Sequence, residues 1–529
     1  MDWLGPVPAM RHERHFEGRV VRCFAERPGN VNAMLVEALA RNPDGEALVA
    51  GQRRLDYRAL DELAGRIAGG LGRLGIGPGD RVALLLGNGI EFVAAFFAIL
   101  RLGAIAVPLN IREEPPELAY VLAHSGAAAL ISDTALASKV PVAAMTPELR
   151  HRIIVGGEAP GAMPFASLIE AVPLPPCDPA EETVAAILYT SGTTGRPKGA
   201  MLTHLGIVHA AMIYQACMGL GSGERSIAAV PLSHVTGLAA GIASMVRVAG
   251  TLIVMPEFKA DALIALAAAE RMTHTVMVPA MYNLCLLAPA FATADLSAWR
   301  IGGYGGAPMP AVAIERLAER LPGLRLMNVY GSTETSGPVV LMPPAFSLER
   351  RTALGQAVPV AEILIMDDAG RALGAGESGE IWLRAANVAP GYWMNPQATA
   401  ESFVAGFWRS GDIGSMSADG FLTINDRAKD MINRGGFKIY SGEVEGVLAA
   451  HPDVIEAAIV GNPCPVLGER VHAFVVAQRP DLDVAGLRAH CRGQLADYKI
   501  PESVTILETA LPRNAAGKVL KRELRQRLE

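Results

Sequence analysis

"YTSGTTGRPKGAML", Tyr189 to Leu202, is the stretch on which the fold turns. The run before it, Val184 to Leu188, is small and apolar, the texture of a buried strand. It breaks directly into hydroxyls, glycines and one lysine. Gly192, Gly195 and Gly199 would let backbone N–H groups come close to a ligand; Thr190, Ser191, Thr193 and Thr194 add hydroxyl donors, and Lys198 adds charge. That set suits the oxygens of a polyphosphate. A Walker loop would need GxxxxGK[ST] running into a helix, whereas here Pro197 precedes the lysine and Gly199 follows it. A solvated Gly/Ser linker has the same composition, so the loop takes its meaning from the segments around it.

Those segments alternate between strand and helix patterns. "RVALLLG" (Arg81–Gly87) precedes a helical run around Phe92–Leu100, then "AIAVPLN" (Ala104–Asn110), a helix "LAYVLAHSG" and a strand "AALISD" ending at Asp133. An alanine-rich helix, Asp261–Glu270, precedes another buried strand, "THTVMVP". Such alternation predicts mostly parallel sheets covered by helices. Near Asp419 the texture turns glycine-rich and charged, and beyond it helix and strand patterns make a compact domain of about 100 residues. The boundary is expected at Asp426–Lys429, giving domains 1–426 and 427–529.

With 529 residues, 51% of them hydrophobic and 19% charged, the chain is globular and long enough for more than one domain. The net charge of −6 and the lack of any Lys/Arg block argue against a nucleic-acid partner. Six cysteines stand without CxxC spacing, which argues against a zinc site and a disulfide framework and fits a reducing cytoplasm. The first residues lack the apolar core of a secretion signal, and the greasiest segment, from Phe92, is interrupted by Arg101 and Gly103, so no membrane span is expected.

Eight segments stand in one order: "TSGTTGRPKG", "PLSHVTG", "GGAPMP", "NVYGSTET", "GYWMNP", "SGDIG", "DRAKDMINRGGFKIYSGEVE" and "LPRNAAGKVLKREL". In this the chain, from about Ala47 to its end, resembles the adenylate-forming enzymes: acyl-CoA and aryl-CoA synthetases, peptide-synthetase adenylation domains and luciferases. The resemblance implies a large N-terminal domain of mostly parallel sheets flanked by helices, with a barrel-like β subdomain, and a small mobile C-terminal α+β domain. It implies a reaction in two steps. A carboxylate is too stable for a thiol to attack, so ATP first converts it to an acyl-adenylate with release of pyrophosphate; coenzyme A then takes the acyl group and AMP leaves.

The resemblance also implies roles. Thr190, Ser191, Gly192, Thr193, Thr194, Gly195 and Lys198 would hold phosphates. Gly306, Ala307, Pro308, Asn328, Tyr330, Gly331 and Ser332 would line the ATP site, Tyr330 stacking on adenine. Thr333 would contact the α-phosphate and Glu334 would bind Mg2+, a cation that prefers hard oxygens. Asp412 and Arg427 would meet the ribose, Lys429 would be a hinge, and Lys518 would bridge the reacting carboxylate and phosphate. Gly435, Gly436 and Lys438 would serve coenzyme A; Ser441, where many relatives carry proline, would alter only loop stiffness. His234 stands where peptide synthetases place an aspartate for a substrate ammonium, which argues against an amino acid and for a role beside the carboxylate. Met277, Met281, Gly303, Tyr304 and Gly305 would line the acyl pocket. No cation falls on that wall, which argues against a dicarboxylate, and Tyr304 would shorten the tunnel in favour of short, medium or aromatic acids. A stand-alone enzyme loading a carrier protein is the alternative; an oxidising relative and a silent nucleotide-binding module are further ones, the last disfavoured by the presence of Lys198, Glu334 and Lys518. A homodimer stays open.

Overall fold

The computed structural model describes residues 3–190, 196–435, 437–479, 482–492, 494–513 and 519–528. The expected site residues Ser191, Gly192, Thr193, Thr194, Gly195, Gly436 and Lys518 lie outside the described residues. The chain divides into two compact units, Met1–Ile363 with Leu383–Trp408, and Leu364–Trp382 with Arg409–Glu529.

The alternation of pattern in the first unit becomes α/β structure. Its seven-stranded sheet runs in the order Lys198–Thr203, Val184–Thr190, Ile105–Pro108, Arg81–Leu85, Ala127–Asp133, His151–Val155, Met163–Pro164. All neighbours are parallel except the first pair. In the other sheet of this unit the six strands Arg325–Ser332, Ile301–Gly305, His274–Met277, Arg225–Ala228, Thr251–Val254 and Glu46–Ala50 lie side by side and parallel. Antiparallel strands close both ends, Gly337–Leu341 with Gly355–Ala357 at one and Arg53–Asp56 at the other. Strands covered on both faces read as continuous apolar runs, which is why they were visible.

The greasiest segment is the helix Ile90–Arg101, buried at every residue but Glu91. It has apolar residues all round because other elements surround it; Arg101 is tolerated there because its guanidinium meets Asp61 and donates to the carbonyl of Leu174 at 2.9 Å. Among the described residues no helix is long and apolar enough to cross a membrane.

The second unit is α+β. The hairpin Val454–Cys464/Gly468–Ala477 pairs with Ile432–Arg434 on one side and, in parallel, with Ser503–Leu507. The helices Ser441–Ala449 and Val484–Arg492 bury Val444, Leu448 and Leu487 with Ile459, Val471 and Val475. The second unit also takes in residues 364–382 and 409–426. Within it the carboxylate of Asp426 accepts the backbone N–H and, at 2.9 Å, the hydroxyl of Ser441. Ser441 in turn accepts from Lys521 at 2.6 Å, and Lys521 pairs with Glu445 at 2.7 Å. Ser441 therefore does more than set loop stiffness, since a proline there could donate neither bond.

Candidate active site

The phosphate-type loop is a hairpin connection. Thr190 ends one strand and Lys198, its register partner, starts the next. Lys198–Thr203 is the edge of its sheet, and an exposed edge needs cover. The segment Gly391–Trp393 supplies it: Trp393 donates to the carbonyl of Gly199 at 2.7 Å and Met201 to that of Gly391 at 3.1 Å. This packing needs a glycine at 199, for a Cβ there would lie 2.7 Å from Ile187. Behind the loop's exit, the hydroxyl of Tyr120 donates to Pro197 O at 3.2 Å and Arg196 lies over the Tyr120 ring.

The same cover brings three motifs together. The Lys198 ammonium lies 5.1 Å from the centre of the Tyr392 ring, within cation–π range. The Tyr392 hydroxyl donates to Glu334 Oε1 at 2.9 Å. Burial beside that carboxylate pushes the Tyr392 hydroxyl's pKa well above its ordinary range, so it remains a donor at neutral pH. Ser332 Oγ donates to Glu334 Oε2 at 3.0 Å. Glu334 is only 9% exposed, and among the described residues it forms no ion pair. A buried carboxylate with one hydroxyl on each oxygen, and a further hydroxyl on Thr333 beside it, fits a hard divalent cation. Thr333 opens the short 3-10 turn Thr333–Thr335, whose far end is tied down when buried Asn387 donates to Thr335 O at 2.7 Å and Pro338 O at 3.1 Å.

The remaining first-unit candidates surround two parallel strands. Tyr304 is in register with Asn328, and Gly305 with Val329. Asn328 is buried and Tyr330 half-buried. Gly305 lets these strands meet, since a Cβ there would lie 2.3 Å from Val329 O; Gly306 turns the chain away at φ +81, and Gly306, Ala307 and Pro308 are exposed. Tyr304, 2% exposed, joins Met277, Met309 and Tyr282 in one apolar cluster, with half-buried Met281 packed on it. Burial pushes the Tyr304 phenol up to about 12. Gly303 is buried in its strand, and its carbonyl accepts from Tyr282 at 2.9 Å.

His234 is exposed on the turn before a π-helix, Thr236–Ala243, and its Nδ1 accepts the N–H of Thr236 at 3.3 Å. Asn88 holds this turn by accepting from Leu232 N at 2.8 Å and donating to Val230 O and Met255 O, both at 3.0 Å.

In the second unit Asp412 and Arg427 are register partners joined at 2.9 Å, with Asp412 buried. Lys429 is exposed; its carbonyl accepts from Arg525 at 3.1 Å, and Arg525 also meets Asp430 at 2.9 Å. Gly435 has φ +59 and donates to Leu467 O at 2.7 Å, while Lys438 pairs with Asp368 at 2.9 Å.

Tyr392, Asn387 and Asn88 were not singled out from the sequence. Tyr392 lay within a quoted motif, "GYWMNP"; the two asparagines act on backbone carbonyls far away in sequence and leave no local signal.

The AMP-binding enzyme family matches residues 35–393, and the AMP-binding enzyme C-terminal domain matches residues 443–518. The feruloyl-CoA synthase of an Amycolatopsis species is 37% identical over 92% of this chain and 96% of its own length. The long-chain-fatty-acid–CoA ligase FadD13 of Mycobacterium tuberculosis is 34% identical over 94% of this chain and 98% of its own. The o-succinylbenzoate CoA synthetase of Bacillus subtilis, solved with the acyl-adenylate OSB-AMP, superposes with a TM-score of 0.84 at 29% identity, over 94% of this chain and 98% of that one. Its complex with ATP and magnesium ion gives 0.83 at 29% identity, over 93% and 98%. The order of motifs, the paired sheets and these matches agree: the chain is an AMP-binding enzyme, related along nearly its whole length to acyl- and aryl-CoA ligases.

Proposed function

We propose that the chain is an ATP-dependent carboxylate–CoA ligase: it makes an acyl-adenylate from a monocarboxylic acid and MgATP, then passes the acyl group to coenzyme A, leaving AMP and pyrophosphate. The observation that carries this is the convergence of Lys198, Tyr392 and Glu334 at the base of the phosphate-type loop. Lys198 brings positive charge to the phosphates while the Tyr392 ring holds its ammonium. Tyr392 and Ser332 orient the Glu334 carboxylate. Thr333, beside it, offers a hydroxyl to the α-phosphate, and Asn328 and Tyr330 receive adenine. Magnesium, when bound, would neutralise phosphate charge as the acid approaches; Glu334 is the carboxylate placed to hold it.

His234 is assigned to the carboxylate entrance, its Nδ1 already committed as acceptor to Thr236 N–H. Met277, Met281, Gly303, Gly305 and Tyr304 are assigned to the acyl wall. Burial of Tyr304 among methionines and aromatics supports short, medium or aromatic acids; the feruloyl-CoA synthase relative favours the aromatic choice, and the long-chain ligase FadD13 the competing long-chain one. For the second unit the assignments rest on resemblance: Asp412 and Arg427 to ribose, Gly435, Gly436 and Lys438 to coenzyme A, and Lys518 to the transition state. The division of labour between 1–426 and 427–529, with Lys429 as the hinge, belongs to the same proposal. Its six free cysteines suit a cytoplasmic setting.

ATP–pyrophosphate exchange with acids of two to sixteen carbons, benzoates and cinnamates, followed by mass detection of the thioester, tests this. A preference for palmitate would overturn the acyl assignment. Transfer to a phosphopantetheinyl protein but not to free coenzyme A would favour the carrier-loading alternative.

A further inference from the structure

The family match begins at residue 35, yet the hairpin Met10–His15/Arg19–Phe24 ahead of it reaches the platform under Glu334. Arg19 donates from one guanidinium nitrogen to the carbonyls of Val388 at 3.3 Å and Ala389 at 3.0 Å. Ala389 N–H is itself bonded to Glu334 O at 2.8 Å. The same guanidinium lies 5.7 Å from the centre of the Phe403 ring, and Phe403 packs edge-on to Tyr392 with centroids 5.6 Å apart. Two routes, one through backbone bonds and one through rings, thus run from Arg19 to the two ends of Glu334: its carbonyl and its carboxylate. The hairpin's apolar face adds a third anchor, for Val21 and Cys23 are buried against Ala386, the neighbour of Asn387. His15, across the turn from Arg19, and Arg27, just past the hairpin, grip the stem of the phosphate-type loop. His15 hydrogen-bonds Glu182 at 2.8 Å and Arg27 pairs with Glu181 at 2.9 Å, and Glu181 and Glu182 lie just before the strand Val184–Thr190.

We propose that Arg19 is a positioning residue for Glu334: it fixes the 386–392 segment and, through it, the orientation of the carboxylate that holds the metal of the bound nucleotide. The inference rests on Glu334 being that ligand. The guanidinium suits the task because its planar fork can donate in its plane to carbonyls while its face stacks on a ring. Groups bonded directly to a metal ligand change metal affinity by about 10- to 100-fold when lost; Arg19 stands one contact further out, so the lower end of that range is the expected size.

The test is calorimetric binding of α,β-methylene-ATP to the full chain across a magnesium titration, with metal-free AMP as a second probe. Arg19→Ala is expected to weaken the magnesium-dependent binding about 10-fold and to leave AMP binding unchanged. Arg22→Ala removes a bond from the same hairpin, to Pro359 O at 3.1 Å, outside the 386–392 segment, and it is expected to bind as wild type does. Arg19→Lys keeps the charge but not the flat stack on Phe403, and is expected to fall between Arg19→Ala and wild type; it also replaces Arg19→Ala in the comparison if that variant does not fold. Equal binding by wild type and the Arg19 variants overturns the proposal, as does equal weakening by Arg22→Ala, or an equal loss of AMP binding. A wild-type protein whose nucleotide binding ignores magnesium would overturn the Glu334 assignment, and this inference with it.

Discussion

Glu334→Gln should separate function from stability. The side chain is 9% exposed, with Tyr392 donating to one oxygen at 2.9 Å and Ser332 to the other at 3.0 Å. Glutamine keeps the shape and an acceptor oxygen for Tyr392, and its amide can donate to Ser332 Oγ. What it loses is the charge. Hydrogen bonds to an ionised group are worth about 1.5–3 kcal/mol each, but a buried carboxylate without an ion pair carries a desolvation cost of several kcal/mol. Neutralising it should leave stability unchanged or raise it by about 1 kcal/mol, as often happens where a site is built against stability. Adenylation has the opposite sign. Removing the carboxylate assigned to the metal should take away about 3 kcal/mol or more of charge stabilisation, an exchange rate lower by about 10²-fold or more. ATP–pyrophosphate exchange against free magnesium measures the second effect and urea unfolding the first. Wild-type exchange at ordinary magnesium would refute the ligand assignment. A loss of stability beyond about 1 kcal/mol would show that the charge holds the fold together, contrary to the burial argument.

Lys518→Ala should lower adenylation about 10²-fold or more while thioester formation from supplied acyl-adenylate falls far less; an equal fall in both half-reactions would contradict the assignment of roles. Ser441→Pro removes the N–H and hydroxyl that Asp426 accepts, and should cost about 2–4 kcal/mol, read as faster amide exchange over residues 441–449; unchanged protection would refute the network's importance. Burial pushes His204, His209 and His274 each down to about 4, below their ordinary value. A histidine with a lowered folded pKa opposes protonation, so its contribution is whole above about pH 6.5 and is lost as pH falls toward 4, up to about 3 kcal/mol each. Chemical unfolding from pH 7 to 4 should show that decline; His209→Gln, which can still meet Phe24 N–H, should reduce its slope.

What the sequence determined by itself were the elements and the local chemistry. Buried parallel strands and all-apolar helices announce themselves as uninterrupted runs, so the α/β order from Arg81 to Asp133 needed no structure. Lys198 sits in a loop whose composition suits phosphate, and the roles expected of Thr333 and Glu334 came from the family resemblance of their motif. Tertiary structure decided who supports them. Tyr392 reaches Glu334 across 58 residues, and Arg19 reaches Val388 across 369. Asn387 and Asn88 are read only by the carbonyls they meet. Gly199, which looks like a ligand-approach glycine, is required by packing as well, and Ser441, which looks incidental, bonds Asp426 across 15 residues. The physical reason is the same in each case. A hydrogen bond from a side chain to a distant backbone group has no periodicity and no preferred neighbour in sequence, so it comes into being only when folding sets the two ends side by side.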